Sequence, residues 1–205
     1  MPASSSASSA SQSFDERRWR VAPLTLADCD ELARVHVAVW REAYAGLMDA
    51  AYLRGLREER FAERWRSRAS ASVGTSPASV TSVTSVTSSP ASSPGGSDAG
   101  GPVTLVARDG AGVVGFVSAG PSRDEDPPTA WELWAVNLLG RAHGTGLAEH
   151  LVQLTVGDRD ASLWVVEGNA RARSFYTRLG FAPDGARSEH EPTGAPEVRL
   201  VRRRA

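Results

Sequence analysis

A chain of 205 residues with 41% hydrophobic residues is long enough to form one domain with a buried core. Its formal net charge of −1 gives no overall attraction to nucleic acid or to an anionic membrane, so we expect neither as a partner. The single cysteine, Cys29, excludes an intrachain disulfide and is typical of a reducing compartment, so the expected location is cytoplasmic.

Two segments of low complexity are expected to lie outside the fold. Residues 1–13 are almost entirely Ser and Ala, with neither the basic start nor the apolar core of a signal peptide, and they predict a disordered tail. Residues from about 69 to 101 are mainly Ser, Thr, Pro, Gly and Ala, which cannot bury enough apolar surface to offset the ordering of the backbone. The sequence therefore predicts a single domain over residues 14–205, interrupted by a disordered insertion at about 69–101.

Before the insertion, the pattern predicts one strand and two helical regions. The strand covers residues 19–24. Thr25 is followed three residues later by Asp28, which resembles a capping box and predicts a helix from there to about residue 44. A second helical region extends to residue 68.

After the insertion, strands and helices alternate. The predicted strands cover residues 103–108, 113–119, 130–139, 162–166 and 197–203. An Asp-Gly turn at Asp109 joins the first two of them. One predicted helix runs from Gly144 to about residue 157, and another runs from Ala170 to Gly180. The residues of the first helix that are expected to face the core are Leu147, Leu151 and Leu154.

The loop Arg141-Ala142-His143-Gly144-Thr145-Gly146 stands between a predicted strand and a predicted helix. At the start of a helix several backbone N–H groups lack an intrahelical partner, and the helix dipole adds partial positive charge. Gly144 and Gly146 leave room for an anion and tolerate positive φ angles. The loop therefore predicts a site for a phosphorylated ligand.

Two common phosphate loops fit this sequence poorly. A kinase-like P-loop is excluded because no Gly-Lys-Ser/Thr follows and the chain contains no lysine. A dinucleotide-binding loop would need a third glycine where Glu149 stands, and too few strand and helix units follow it.

A second motif extends from Asn169 to Phe181 and has the pattern Asn-x-x-Ala-x-x-Phe-Tyr-x-x-x-Gly-Phe. Together with Arg-x-x-Gly-x-Gly at 141–146, it resembles the GNAT superfamily of acyl-CoA-dependent N-acyltransferases. The resemblance extends to the helical residues 35–65 and to the hairpin at 103–116, so it covers most of the chain outside the insertion.

The resemblance implies an α+β fold with three layers, in which helices flank a mixed, mostly antiparallel central sheet with splayed central strands. It implies transfer of an acetyl group from acetyl-CoA, as cosubstrate, to a primary amine by direct attack in a ternary complex. By this resemblance, the residues that bind acetyl-CoA are Val136, Asn137, Leu138, Arg141, Ala142, His143, Gly144, Thr145, Gly146, Leu147, Asn169, Arg173 and Tyr176. No metal is expected, because the four histidines show no spacing typical of ligands.

Tyr176 and Glu132 are the candidate catalytic residues. Tyr176 stands where the family places its general acid, and a phenol is protonated at neutral pH and can donate to a departing sulfur. The alternative is that Tyr176 only packs under the pantetheine arm. Glu132 lies on the strand before the loop and could accept the proton of the amine. Its alternative is a carboxylate that is solvated or paired with an arginine.

The acceptor side is less defined by the sequence. The helical region that caps the acceptor cleft in the family contains Trp40, Tyr44 and Tyr52. The candidate residues that bind the acceptor are Trp40, Tyr44 and Glu132. The acceptor is a small-molecule or peptide amine, with an aminoglycoside, a polyamine, an amino acid and a protein N-terminus all open. The alternative function is a non-catalytic acyl-CoA-binding sensor or regulatory module. A homodimer is compatible with the chain.

Overall fold

The computed structural model describes residue 15, residues 18–73 and residues 100–204. The strands are β1 (Arg20–Pro23), β2 (Val103–Asp109), β3 (Gly112–Pro121), β4 (Trp131–Leu138), β5 (Ala161–Val166), β6 (Ala182–His190) and β7 (Ala195–Arg202). The helices are α1 (Cys29–Ala43), α2 (Ala50–Gly55), α3 (Glu58–Val73), α4 (Leu147–Thr155) and α5 (Ala170–Arg178). The predicted tail, residues 1–13, lies outside the described residues.

Within these residues the strands form one sheet of seven, in the order β1-β2-β3-β4-β5-β7-β6. All neighbouring pairs are antiparallel except β4 and β5, which are parallel. The predicted fold class, a mixed and mostly antiparallel sheet flanked by helices, is confirmed.

The parallel pair at the centre of the sheet separates soon after it begins. Only Trp131 and Glu132 of β4 pair with Ala161 and Ser162 of β5. Both strands then continue, to Leu138 and Val166, without pairing to each other. The central strands are therefore splayed, as predicted, and a gap opens between their carboxyl ends.

Alternation along the strands supplies apolar side chains to both faces of the sheet. Val106 and Phe116 belong to a core with the buried residues of α1 and α3. Their neighbours Ala107 and Val117 belong to a second core with Leu147 and other residues of α4. Helices α1–α3 therefore cover one face, and α4 and α5 cover the other.

Two helix starts follow the expected local chemistry. The backbone N–H of Thr25 donates to the Asp28 carboxylate at 2.9 Å, and α1 follows directly. Asn169 caps α5 through its side-chain oxygen, which accepts from the N–H of Ala172 at 3.0 Å. Both predicted starts are confirmed.

The boundary of the predicted insertion needs correction. Helix α3 continues to Val73, and Ala69 is buried in the core beneath α1, so the first residues of the segment assigned to 69–101 are helical. Residues 74–99 lie outside the described residues, and their disorder stays a prediction.

The structure also corrects two details of the last third of the chain. Leu154 is 50% exposed, because the buried stripe of α4 is centred on Leu151 and Thr155, and Leu154 lies about a quarter of a turn away from it. Strand β6 was not predicted, because its mostly exposed residues include Pro183, Asp184 and Gly185, which are typical of turns.

None of the helices among the described residues is long and apolar enough to cross a membrane.

Candidate active site

A cleft of about 1030 Å³ opens where β4 and β5 separate. One half is formed by the loop before α4 and by α5, and we call it the loop half. The other half is formed by α1, α3 and the β6–β7 hairpin, and we call it the aromatic half because Trp40, Tyr44, Phe61 and Trp65 line it. The carboxyl ends of β4 and β5 form the floor between the two halves.

The loop before α4 has the geometry of an anion site. Gly144 and Gly146 have φ angles of 71° and 78°, and Gly146 is the N-cap of α4. Within the described part of the chain, the backbone N–H groups of residues 144–146 donate to no protein acceptor, and the first helical bond runs from His150 N to Gly146 O at 3.0 Å. A Cβ built at Gly144 meets no atom within 4 Å, so this side of the loop is open. These features fit a phosphate group.

His143 fixes the loop against α5. Its Nδ1 lies 2.8 Å from Nη1 of Arg171, and its Nε2 lies 2.9 Å from the carbonyl oxygen of Leu138. Arg171 can only donate, so Nδ1 accepts, and the proton of the neutral ring is on Nε2, which donates to Leu138. The sequence does not predict this contact of Arg171 with the loop, because nothing in the motif distinguishes Arg171 from Arg173.

Three of the residues predicted to bind acetyl-CoA place their side chains outside the cleft. Arg141 turns away from the loop, because its Nε donates to Asp109 at 2.9 Å, and this bond holds the pKa of Asp109 below its usual value. Arg173 donates to the carbonyl oxygen of Glu167 at 3.2 Å and lines a separate depression. Leu147 is fully buried in the core, and only its backbone belongs to the helix start.

The other predicted residues of this set lie at the cleft or beside it. Those that line the cleft are Val136, Asn137, Leu138, Ala142, His143, Gly144, Asn169 and Tyr176. Thr145 belongs to the loop, but its hydroxyl donates to the carbonyl oxygen of Ala142 at 2.8 Å. The hydroxyl of Thr145 is therefore engaged within the loop itself.

Tyr176 reaches the cleft from α5 and is 9% exposed. Its ring packs against Phe175 and Phe181, with centroids 5.1 and 6.0 Å away. Burial raises the pKa of the phenol far above its ordinary value, and the phenol of Tyr44 raises it further. Tyr176 therefore carries its proton at every pH at which the protein would normally work.

Glu132 does not lie near the end of β4, where it was predicted to act as the base. It lies in the paired part of β4, about 20 Å along the strand from Leu138, and it is absent from the described residues that line the cleft. Its carboxylate is 1% exposed and fully engaged by Arg123, through the guanidinium and through the backbone N–H at 2.9 Å. The paired alternative describes the environment of Glu132, whose carboxylate is bound by Arg123 and is not at the cleft.

The structure places a different carboxylate, that of Glu197, in the cleft. Glu197 stands on β7, opposite Val166 at the carboxyl end of β5, and is half-buried. Burial raises its pKa, while the guanidinium of Arg123 lowers it by a smaller amount. The charge of Glu197 in turn adds to the effect of burial in raising the pKa of Tyr44. Tyr176, Tyr44 and Glu197 therefore all line the same cleft.

The predicted acceptor residues Trp40 and Tyr44 both line the aromatic half, with ring centroids 5.2 Å apart. His36 stands behind them among aromatic rings, with centroids 4.5 Å from Phe61 and 4.8 Å from Phe116. Burial lowers the pKa of His36 to about 3, so its imidazole is neutral and too weak a base to accept a proton from an amine. No cluster of metal-binding side chains is found among residues 18–73 and 100–204.

The open side of Gly144 allows a sharp test of the phosphate site. Asn and Asp are the non-glycine residues that best tolerate this φ, and they have the same shape. We expect Gly144→Asn to retain most of the affinity for acetyl-CoA, and Gly144→Asp to weaken it about tenfold or more, because its carboxylate repels the phosphates. Isothermal titration calorimetry of the two variants measures the difference, and equal affinities would remove the phosphates from this loop.

Comparison with known proteins agrees with this geometry. The Acetyltransferase (GNAT) family model matches residues 86–181. The uncharacterized N-acetyltransferase YuaI of Bacillus subtilis is 30% identical over 153 residues, which cover 70% of this chain and 69% of YuaI. The chain is therefore an acyltransferase. It belongs to the GNAT family of acetyltransferases.

Solved structures show the same fold. The PaiA N-acetyltransferase of Thermoplasma acidophilum, in complex with coenzyme A, aligns with a TM-score of 0.63 at 16% identity, over 91% of this chain and 99% of that one. The ribosomal-protein-S5-alanine acetyltransferase of Vibrio fischeri aligns with a TM-score of 0.59 at 15% identity, over 92% and 94% of the two chains. At these identities the likeness concerns the fold alone.

Proposed function

We propose that this protein transfers the acetyl group of acetyl-CoA to a primary amine by direct attack in a ternary complex. The observation that carries the proposal is the cleft itself, which joins a phosphate-binding loop to the gap between β4 and β5 and continues into the aromatic half. A thioester donor enters from the loop half and an amine from the other half, so both substrates can be present at once. Family membership and the coenzyme A complex of the PaiA protein support acetyl-CoA as the donor.

Backbone groups would make most of the contacts with acetyl-CoA, the acetyl donor. The N–H groups of residues 144–146 and the start of α4 bind the pyrophosphate, and His143 and Arg171 keep the loop in place. Beyond Glu132, the edge of β4 that faces β5 pairs with no strand among the described residues, so the backbone groups of residues 136–138 that bond neither to β3 nor to His143 can bond to the pantetheine and the acyl carbonyl. A backbone N–H group that points at the acyl carbonyl oxygen would stabilise the negative charge that develops on this oxygen during the attack.

Two side chains have the proton chemistry that the reaction needs. Glu197 takes a proton from the ammonium group of the acceptor, which frees the nitrogen lone pair to attack the thioester carbon. When the C–S bond breaks, Tyr176 gives its proton to the departing sulfur. The second proton that the nitrogen loses as the amide forms restores the phenol through solvent, so one proton is released overall.

The raised pKa of Glu197 suits a base, whereas the raised pKa of Tyr176 keeps the phenol protonated and also makes it a weaker acid than an ordinary tyrosine. A carboxylate that is a stronger base than an ordinary glutamate accepts a proton more readily, and burial is the physical cause for Glu197. Tyr44 lines the same cleft and its hydroxyl can hydrogen-bond to the acceptor nitrogen.

The experiment is a screen of amines with the full chain and acetyl-CoA, in which free thiol is measured and acetylated products are identified by mass spectrometry. We expect thiol release that depends on an amine, together with the matching acetylated amine. A non-catalytic sensor would bind acetyl-CoA and release no CoA with any amine.

We further propose that the protein is located in the cytoplasm, because its single cysteine, Cys29, suits a reducing compartment. We also propose a single catalytic domain, because the seven strands of the described residues form one continuous sheet.

A further inference from the structure

Three arginines stand together in the aromatic half of the cleft. Arg64 and Arg68 project from α3, and Arg123 comes from the β3–β4 loop. The guanidinium carbon of Arg68 lies 5.4 Å from the ring centroid of Trp65 and 5.5 Å from that of Trp134. Arg123 shares the Trp134 ring, at 5.3 Å. Stacking of this kind holds the planar guanidinium groups in place, and we call these three residues the arginine cluster.

The arginine cluster concentrates positive charge on one wall of the cleft. Burial lowers the pKa of Arg68, and the charges of Arg123 and Arg64 lower it further. Their field also reaches His36, whose pKa Arg68 and Arg64 help to lower. The carboxylate of Glu132 offsets part of this charge, but it is buried beneath Arg123 and is not among the described residues that line the cleft. An anionic ligand in the cleft would meet these guanidinium groups.

Carboxylates line the cleft as well. Glu197, Glu189 and Glu191 come from the β6–β7 hairpin, and the guanidinium of Arg123 lowers the pKa of Glu197. A ligand in the aromatic half therefore meets both carboxylates and guanidinium groups. A cationic group alone would match only one of these two charges.

We propose that the acceptor is an amine that also carries an anionic group, as an α-amino acid or a related zwitterion does. The proposal rests on the proposed acetyl transfer. The ammonium group binds at Glu197, and the carboxylate or phosphate of the acceptor binds to the arginine cluster, where guanidinium groups make paired hydrogen bonds to such anions. A polyamine or an aminoglycoside would place further positive charges against Arg64, Arg68 and Arg123, and like charges disfavour that placement.

The first test compares acceptors of equal shape. Amino acids with aromatic and aliphatic side chains are each offered beside their carboxamides, their decarboxylated amines and their aminophosphonate analogues. We expect kcat/KM for the acid to exceed that for the amide by about tenfold or more, since a charge-assisted bond is lost in the amide. The phosphonates decide between a carboxylate and a phosphate as the preferred anion. Turnover of amides and simple amines as fast as that of the acids overturns this inference and leaves acetyl transfer intact, whereas an absence of turnover with every amine overturns acetyl transfer itself.

The second test assigns the preference to the arginine cluster. In Arg68→Gln, KM for the accepted amino acid should rise about tenfold while KM for its amide stays the same. Arg60→Gln is the matched control, because Arg60 is exposed on the same helix and is absent from the described residues that line the cleft. Arg64→Gln provides a second variant that leaves the stacking of Arg68 on the two indole rings unchanged.

The affinity for the amino acid can also be measured directly, without turnover. Calorimetry of the amino acid with the full chain saturated with CoA should show the same tenfold loss in Arg68→Gln, and unchanged affinity in Arg60→Gln. An equal loss for the acid and the amide would show that Arg68 only supports the fold. Weaker binding of acetyl-CoA in the variant would assign the cluster to the donor. Either result overturns the proposal.

Discussion

Replacing Tyr176 by Phe should lower kcat by on the order of 10²-fold, with little change in the affinity for acetyl-CoA. Phe keeps the ring and its contacts with Phe175 and Phe181, and it removes only the proton that Tyr176 would give to the departing sulfur. Burial and Tyr44 hold the pKa of the phenol above its ordinary value, so the parent enzyme retains this proton across the neutral and mildly alkaline range.

Steady-state kinetics with a verified acceptor measure this effect. Tyr52→Phe is the matched control, because Tyr52 loses the same hydroxyl on α2 and is absent from the described residues that line the cleft. If Tyr176→Phe keeps activity within about twofold of the parent, the residue only packs, and solvent is the proton donor.

Replacing Glu197 by Gln should lower kcat/KM by on the order of 10²-fold, because the amide cannot accept the proton of the ammonium group. The pH dependence of the parent follows from the raised pKa of Glu197. The carboxylate is active when deprotonated, so activity is lost as the pH falls through this pKa, and the acid limb lies above the ordinary value of 4.5 for a glutamate. In Glu197→Gln, kcat/KM should no longer show this decrease as the pH is lowered.

Glu125→Gln is the control for this experiment, since Glu125 is exposed in the β3–β4 loop and is absent from the described residues that line the cleft. An acid limb that persists in Glu197→Gln would assign the titration to another group. Activity of Glu197→Gln close to that of the parent would remove Glu197 from the mechanism.

The local features of the site could be predicted because short stretches of sequence determine them. Gly144 and Gly146 adopt positive φ angles at a helix start, and Asn169 caps the next helix, as their residue types indicate. The fold class was predictable for a related reason, since the two motifs lie on consecutive strand–helix units that position them together.

The features that depend on tertiary contacts could not be predicted. Glu132 and Glu197 are both acids on strands, and nothing in the sequence indicates that the first is buried beneath Arg123 while the second lines the cleft. The arginine cluster joins α3 to the β3–β4 loop across the predicted insertion, so no spacing in the sequence indicates it. Arg141 was assigned to the ligand because its bond to Asp109, 32 residues away, is not visible in the motif.

A single-turnover experiment tests whether the acetyl group passes from acetyl-CoA to an amine inside one cleft without a covalent intermediate on the protein. The full chain is loaded with acetyl-CoA labelled in the acetyl group, mixed with an accepted amine, and quenched over a range of times. We expect the label to leave CoA only when the amine is present and to appear on the amine without passing through the protein. Label that accumulates on the protein before it reaches the amine, or that stays on CoA with every amine, would contradict direct acetyl transfer.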